Sequence, residues 1–297
     1  EMTGEEVIME IDPMMTTMLR RVAPEVVPYI DERGKLLVKL DRAVYGCVQS
    51  AKLWYDTLSG YLREIGFVPN EVDPCVMTRV DTHGEQCTIV LFVDDILVLA
   101  QSDEEINMLQ SQLKNRFGDV KCCADADISY LGMHIKVVNG ETHVSMQSYL
   151  EGVLKECGIT GVVTTPATSD LFDVGEGDVL GTKEAKEFHT MVAKLLYLSK
   201  RVRVDILLAV TYLCTRVKEP TTVDQKKLTR VLKYLNGTTE KILVMRPSDL
   251  VVRGYIDAAF ACHPNGKSHT GLVVTVGGAT VLCKSTKQKI VTKDSTE

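Results

Sequence analysis

Only one tryptophan occurs in 297 residues. No stretch is apolar for the ~20 residues that a membrane-spanning helix needs. The longest apolar candidate, Thr88 to Ala100, is interrupted by two aspartates, so no membrane partner is expected. The opening residues, Glu1 to Glu6, hold neither the basic nor the apolar segment of a secretory signal. They do not start with Met, so the chain is expected to begin inside a larger polypeptide. Nine cysteines form no CxxC pair and no Cys/His cluster of zinc spacing. Scattered cysteines without a signal point to a reducing, intracellular compartment and to small buried hydrophobes.

What is present is an ordinary globular balance, 45% hydrophobic and 25% charged, long enough for about two domains. The net charge of −6 is unevenly spread. Residues 1–150 hold 13 basic and 24 acidic side chains, net −11; residues 151–297 hold 21 and 16, net +5. The basic half could track a phosphate backbone or be a solvated surface.

Periodicity gives the elements. Residues 1–40 are poorly patterned, with Pro13, Pro24 and Pro28 as breakers and a short strand at Leu36 to Leu40. Ser50 to Ile65 reads as a helix, with Trp54, Leu58, Tyr61, Leu62 and Ile65 at helical spacing and Gly66 as its stop. Thr88 to Val93 and Ile96 to Ala100 are β-rich runs joined by Asp94-Asp95, a tight hairpin. Ser102 to Glu105 forms a capping box opening a helix that runs to Phe117. Strands follow at Ile128 to Val137 and Thr142 to Met146, around an Asn139-Gly140 turn, and then a helix over 148–157. Residues 160–182 read as a linker. Helices are expected at Lys183 to Leu198, Val204 to Val217 and Thr222 to Leu235. Strands are expected at Ile242 to Met245, Val251 to Ile256, Thr270 to Val276 and Ala279 to Lys284, with Gly277-Gly278 as a hairpin turn. The fold class is α+β.

The sharpest chemical signal is FVDD, Phe92 to Asp95, followed by ILVLA. Two carboxylates inside so apolar a run are costly unless a cation or hydrogen bonds compensate. Nucleotidyl transfer uses two magnesium ions about 3.5–4 Å apart, and magnesium prefers hard carboxylate oxygens. A rigid hairpin would hold such ligands while its tip stays open. An ordinary turn is the alternative reading, since Asp is a common turn residue. Likewise, Trp54 and Tyr55 read as core, and Lys226, Lys227, Arg230 and Lys233 read as a solvated helix face or a duplex contact.

Taken in order, the motifs resemble the reverse transcriptase–ribonuclease H region of copia-type LTR retrotransposon polyproteins. FVDD is similar to that family's YVDD, with Phe92 for the tyrosine. VYGCVQSAKLWY (Val44 to Tyr55) is similar to LYGLKQSPRAWY, with Ala51 for proline and Val48 for lysine. NEVDPCVM, SYLGMHI, FHTMVAKLLYLSKRVRVDILLAV and VLKYLNGTTEKIL match further segments, so the likeness covers essentially the whole chain.

The resemblance implies a polymerase palm, a ferredoxin-like antiparallel sheet with helices. Thumb or connection helices and an incomplete ribonuclease H-like α/β domain would follow. The expected parts are a palm with a primer-grip hairpin over 1–160, a linker and helices over 161–247, and a ribonuclease H-like beginning over 248–297. It implies Asp94 and Asp95 as catalytic ligands of Mg2+, with Mn2+ as a substitute. Tyr45, Gly46, Gln49 and Phe92 would lie against nucleotide and template, and Leu131 and Gly132 against the primer end. In GYIDAAFA and KSTKQKIVTKDSTE, Asp257 and Glu297 would be metal ligands of the ribonuclease H site, although Ala259 stands where the family commonly has aspartate.

The implied partners are RNA template, DNA primer, RNA–DNA hybrid and dNTPs, with protease and integrase domains in the same polyprotein serving DNA integration. The implied location is the cytoplasm, in a virus-like particle, with the nucleus as a second site. The family's further palm aspartate has no counterpart in residues 1–11, and further ribonuclease H aspartates would lie beyond Glu297. The chain alone is therefore expected neither to polymerise DNA nor to cleave hybrid RNA. The alternative readings are a non-catalytic relic that retains the fold and binds nucleic acid, and another palm-type nucleotidyl transferase or cyclase.

Overall fold

A computed structural model describes residues 7–44, 46–81, 83–123, 127–246 and 248–294. Tyr45 and Glu297 lie outside the described residues. The chain divides into two compact units, Glu1–Cys122 and Cys123–Glu297. This partition differs from the three expected parts, because the strands after residue 126 share a core with the helices that follow them.

The first unit begins with β1 (Ile8–Ile11), α1 (Pro13–Val22) and β2 (Leu36–Lys39). β1 and β2 pair antiparallel. Pro13 does not break an element here. It sits in the first turn of α1, where its missing N–H costs nothing. Asp12 caps that turn by accepting from the backbone N–H of Met14 (2.8 Å) and Met15 (3.1 Å).

Next come α2 (Ser50–Glu64), β3 (Val68–Pro69), β4 (Val76–Val80), β5 (Gln86–Phe92), β6 (Asp95–Leu99) and α3 (Asp103–Phe117). The four strands form one antiparallel sheet in sequential order. One sheet face packs on the two helices. Met77, Cys87, Ile89 and Leu91 from the strands meet Leu58 and Leu62 of α2 and Leu109 and Leu113 of α3. The opposite face stays open, and period-2 alternation puts Thr88, Val90 and Phe92 on it.

The capping box at α3 is only half formed. Ser102 Oγ accepts from the Glu105 N–H at 3.2 Å, but the Glu105 carboxylate turns into the unit to meet Arg79 of β4. Arg79 Nε lies 2.7 Å and Nη2 2.6 Å from Glu105 Oε1, and both side chains are buried. The Arg79 guanidinium also covers the Phe67 ring at 4.6 Å and donates to the Ile65 carbonyl at 3.0 Å. The buried Glu105 carboxylate thus has a charge partner that also donates a hydrogen bond to it.

The second unit holds β7 (Asp127–Tyr130), β8 (Met133–Val138), β9 (Glu141–Ser145), α4 (Gln147–Cys157), α5 (Thr182–Ser199), α6 (Leu207–Cys214), α7 (Thr222–Asn236) and β10 (Leu243–Met245). The strand expected at Ile128 to Val137 is broken in two. Leu131 and Gly132 both take positive φ (50° and 74°), forming a two-residue turn of the I′ kind between β7 and β8. The expected helix at Val204 to Val217 is shorter: a 3-10 turn at Val204–Ile206 precedes α6. The sheet order is β10-β9-β8-β7. Its core is shared with the helices through Val144, Leu150, Phe188, Leu195, Tyr212 and Leu235. The segment expected as a linker has little regular structure, yet Leu171 is buried in this core.

The last strands, β11 (Val252–Ala259), β12 (His269–Val276) and β13 (Ala279–Lys287), form an antiparallel sheet in sequential order. Gly277 and Gly278 take positive φ at its turn, as the sequence predicts. A buried polar chain ties it to α6. Thr211 Oγ1 meets Ser285 Oγ at 2.9 Å, Ser285 Oγ meets His269 Nε2 at 2.7 Å, and His269 Nδ1 meets His263 Nε2 at 3.0 Å. Phe172 stands edge-on to His263, and Tyr212 stacks on it.

Candidate functional site

The site is built on the β5–β6 hairpin. Phe92 pairs with Asp95 across the strands, leaving Val93 and Asp94 as a two-residue turn. The turn therefore starts one residue earlier than the expected Asp94-Asp95 link, and Asp95 belongs to β6. Being paired with Phe92, Asp95 lies on the open sheet face. Val93 has φ 56°, whereas Asp94 is not left-handed. Positive φ at the first central residue alone is the signature of a type II′ turn. Glycine is the usual occupant, and a β-branched residue there is strained.

Asp94, Asp95, Val93 and Phe92 are all exposed. Among the described residues, neither carboxylate has a hydrogen bond or an ion pair. Two adjacent hard oxygen donors, open and unengaged, fit the donor chemistry of a magnesium ion. Among the described residues, no three His, Cys, Asp or Glu side chains gather as a metal cluster.

The neighbouring helix reaches this tip. Trp54 Nε1 of α2 donates to the Val93 carbonyl at 2.8 Å. Its ring meets Phe117 of α3 edge-on, with centroids 5.4 Å apart. Gln49 is the residue just before α2, five residues or about 8 Å of helix axis from Trp54. Gly46 just before it takes φ 96°, a conformation that favours glycine, and is exposed. Gly46 and Gln49 thus lie at the N-terminal end of α2, the end that carries Trp54. Trp54, read as core from the sequence, is half-buried and serves the turn as well. Its helical spacing marked it, but its partner is a backbone carbonyl 39 positions away, which carries no side-chain signal.

Comparison with known proteins decides the family. Residues 20–169 match the family described as reverse transcriptase (RNA-dependent DNA polymerase). The chain belongs to that family. Over 275 residues this reverse transcriptase region is 28% identical to the retrovirus-related Pol polyprotein from transposon TNT 1-94 of Nicotiana tabacum, covering 88% of the chain and 20% of that polyprotein. It is 31% identical to the corresponding polyprotein from transposon RE1 of Arabidopsis thaliana, covering 91% of the chain and 18% of the relative. With a putative transposon Ty5-1 protein of Saccharomyces cerevisiae it shares 28% identity, over 91% of the chain and 88% of that protein. The resemblance to the copia-type polyprotein is thereby borne out. The reverse transcriptase region spans about a fifth of the length of the first two polyproteins. No solved structure matches it significantly.

The remaining predicted positions lie in the second unit. Leu131 and Gly132 form the β7–β8 turn, and Tyr197 of α5 donates to the Leu131 carbonyl at 2.8 Å. Asp257 is exposed within β11, opposite Gly271 of β12. Its expected partner Glu297 falls outside the described residues. The basic helix face is partly engaged in structure. Lys227 donates to the Leu171 carbonyl at 2.8 Å and lies 4.8 Å over the Tyr212 ring, and burial lowers its pKa. Arg230 donates to Thr165 at 2.9 Å. Of the four cations, Lys226 alone is exposed.

Proposed function

We propose that, in a longer polyprotein, this reverse transcriptase region carries the carboxylate hairpin of an RNA-directed DNA polymerase that continues into a ribonuclease H-like part. The observation that carries the reading is the exposed, unengaged Asp94-Asp95 pair on a rigid hairpin, inside the segment that matches the family. In this reading the sheet β3–β6 with α2 and α3 is the palm, and α5 to α7 belong to the thumb or connection. β11 to β13 begin the ribonuclease H-like sheet, with Asp257 and Glu297 as ligands there.

Asp94 and Asp95 would hold Mg2+, or Mn2+ in its place. The bound cation supplies charge stabilisation for phosphoryl transfer. The protein's own part is positional. The apolar strands fix the two carboxylates, and the open face leaves room for a primer end and a dNTP. Gly46 and Gln49 border the incoming nucleotide and the RNA template, and the Leu131-Gly132 turn borders the DNA primer. Two carboxylates are fewer than a two-metal centre uses, so the 297 residues alone are expected not to extend a primer.

The test is a Mn2+ titration of the full chain, with primer–template and dNTP, followed by electron paramagnetic resonance. Binding by the wild type that Asp94→Asn/Asp95→Asn abolishes is the expected result. Equal binding by both proteins, or none by either, would overturn the reading, and none by either is what a relic would give. Primer extension by the wild-type chain would overturn the expectation of inactivity.

A further inference from the structure

A two-residue turn of the kind that carries Asp94 has a known alternative form. A type II′ turn becomes type I′ when its central peptide flips, which moves the second central residue to positive φ. Here that peptide joins the Val93 carbonyl to the Asp94 N–H. Aspartate tolerates positive φ better than most residues, so its own side chain offers little resistance to the flip. Val93 does not select the II′ form either: both forms need positive φ there, and the II′ position is the one usually left to glycine. A strained residue of this kind persists only where its surroundings over-determine it. The selecting contact must therefore act on the central peptide itself.

One side chain does so. Trp54 Nε1 donates to the Val93 carbonyl, the oxygen of the central peptide, at 2.8 Å. A flip would swing that oxygen to the other side of the turn and break the bond. The donor is itself fixed. Trp54 stands on α2, which buries Leu58 and Leu62, and its ring abuts Phe117, which also meets Tyr61 edge-on at 5.5 Å. A rigid helix thus holds an indole N–H at a set point, and the peptide plane follows it.

We propose that Trp54 is a positioning residue: its indole N–H holds the Val93–Asp94 peptide in the II′ orientation and so keeps the Asp94 carboxylate beside that of Asp95 for a divalent cation. The proposal rests on the reading of the carboxylate pair as a metal site. It assigns Trp54 no contact with substrate.

Trp54 is the only tryptophan, so its fluorescence reports the turn alone. In the full chain, Mn2+ is expected to quench it, Mg2+ to reverse the quenching by competition, and Asp94→Asn/Asp95→Asn to abolish it. Trp54→Phe keeps a ring against Phe117 and removes the donor. Replacement by benzothienylalanine, an isostere with sulfur for N–H, changes less still and covers the case in which the phenylalanine variant folds poorly. With either, Mn2+ binding read by paramagnetic resonance is expected to weaken roughly three- to tenfold, the range one neutral hydrogen bond supports. The Asp94 amide resonance is expected to move, and the thermal midpoint of the benzothienylalanine protein to stay close to that of the wild type.

Wild-type affinity and an unmoved Asp94 amide in the isostere would overturn the positioning role while leaving the metal site standing. Loss of affinity with an unmoved amide would overturn it too. No Mn2+ binding by the wild type would remove the metal site, and the proposal with it.

Discussion

Acid should loosen the second unit through His263. The ring is buried between Phe172 and Tyr212 and bonded to His269. Burial first, then the charges of Lys287 and His269, push its pKa from 6.5 down to about 4. Burial also lowers His269. Further cations stand close by: Lys227 of α7 on the Tyr212 ring, Lys267, whose carbonyl accepts from the His263 N–H, and Arg216, whose charge acts on Tyr212 and Lys287. In the unfolded chain His263 takes up a proton near its ordinary value, while the folded chain holds it neutral to about pH 4. Between those values the unfolded state binds more protons, so stability is full above about pH 6.5 and falls as the pH drops toward 4. One pKa unit corresponds to 1.36 kcal/mol, so His263 alone costs about 2 kcal/mol at pH 5 and about 3 kcal/mol in the limit. Urea unfolding of wild type and His263→Gln at pH 7.5 and pH 5.0 measures this. Glutamine can keep a bond to His269 without titrating, so the variant should lose about 2 kcal/mol less than wild type across that interval. Equal losses in the two proteins, or a wild type more stable at pH 5.0, would refute the reasoning.

Two further outcomes test the packing. Glu105→Ala leaves Arg79 buried without its carboxylate and should cost about 3–5 kcal/mol, seen as an earlier unfolding transition of the first unit. A loss below 1 kcal/mol would mean that water reaches Arg79. Leu131→Asn gives the β7–β8 turn its preferred Asn-Gly pair and should add about 0.5–1 kcal/mol to the second unit in denaturant titration; destabilisation would mean that the Leu131 side chain matters more than its backbone.

The sequence makes some elements plain for physical reasons. The spacing of Trp54, Leu58, Tyr61 and Leu62 encodes α2 because each packs into the core that α2 shares with the sheet and α3. Alternation of Cys87, Ile89 and Leu91 encodes β5 and, by register, the open face that carries Asp95. Where a local rule had two outcomes, pattern alone could not choose. Pro13 is a breaker inside a helix but suits a helix start, and the Asp12 cap decides between them. Leu131 looks like strand, because nothing in leucine announces positive φ and only Gly132 hints at the turn. Glu105 completes a capping box on paper, yet the more valuable contact is Arg79, 26 positions upstream. The carboxylate pair was legible because charge is rare in an apolar run. The restraint on its backbone was not, since a carbonyl acceptor is the same at every position.

Among the described residues, β11 is the edge of its sheet and is exposed along its whole length. Val252, Tyr255 and Ile256 stand out at 67%, 60% and 75% exposure beside a row of unpaired backbone groups. Such an edge is a template on which another strand can assemble, and proteins commonly guard it with charge. Arg253 and Asp257 are the charges this strand carries. While that edge is uncovered, the Asp257 charge opposes the addition of another strand, whether or not it binds a metal. Its replacement by asparagine would show first in the concentration at which the protein stays in solution, ahead of any chemistry.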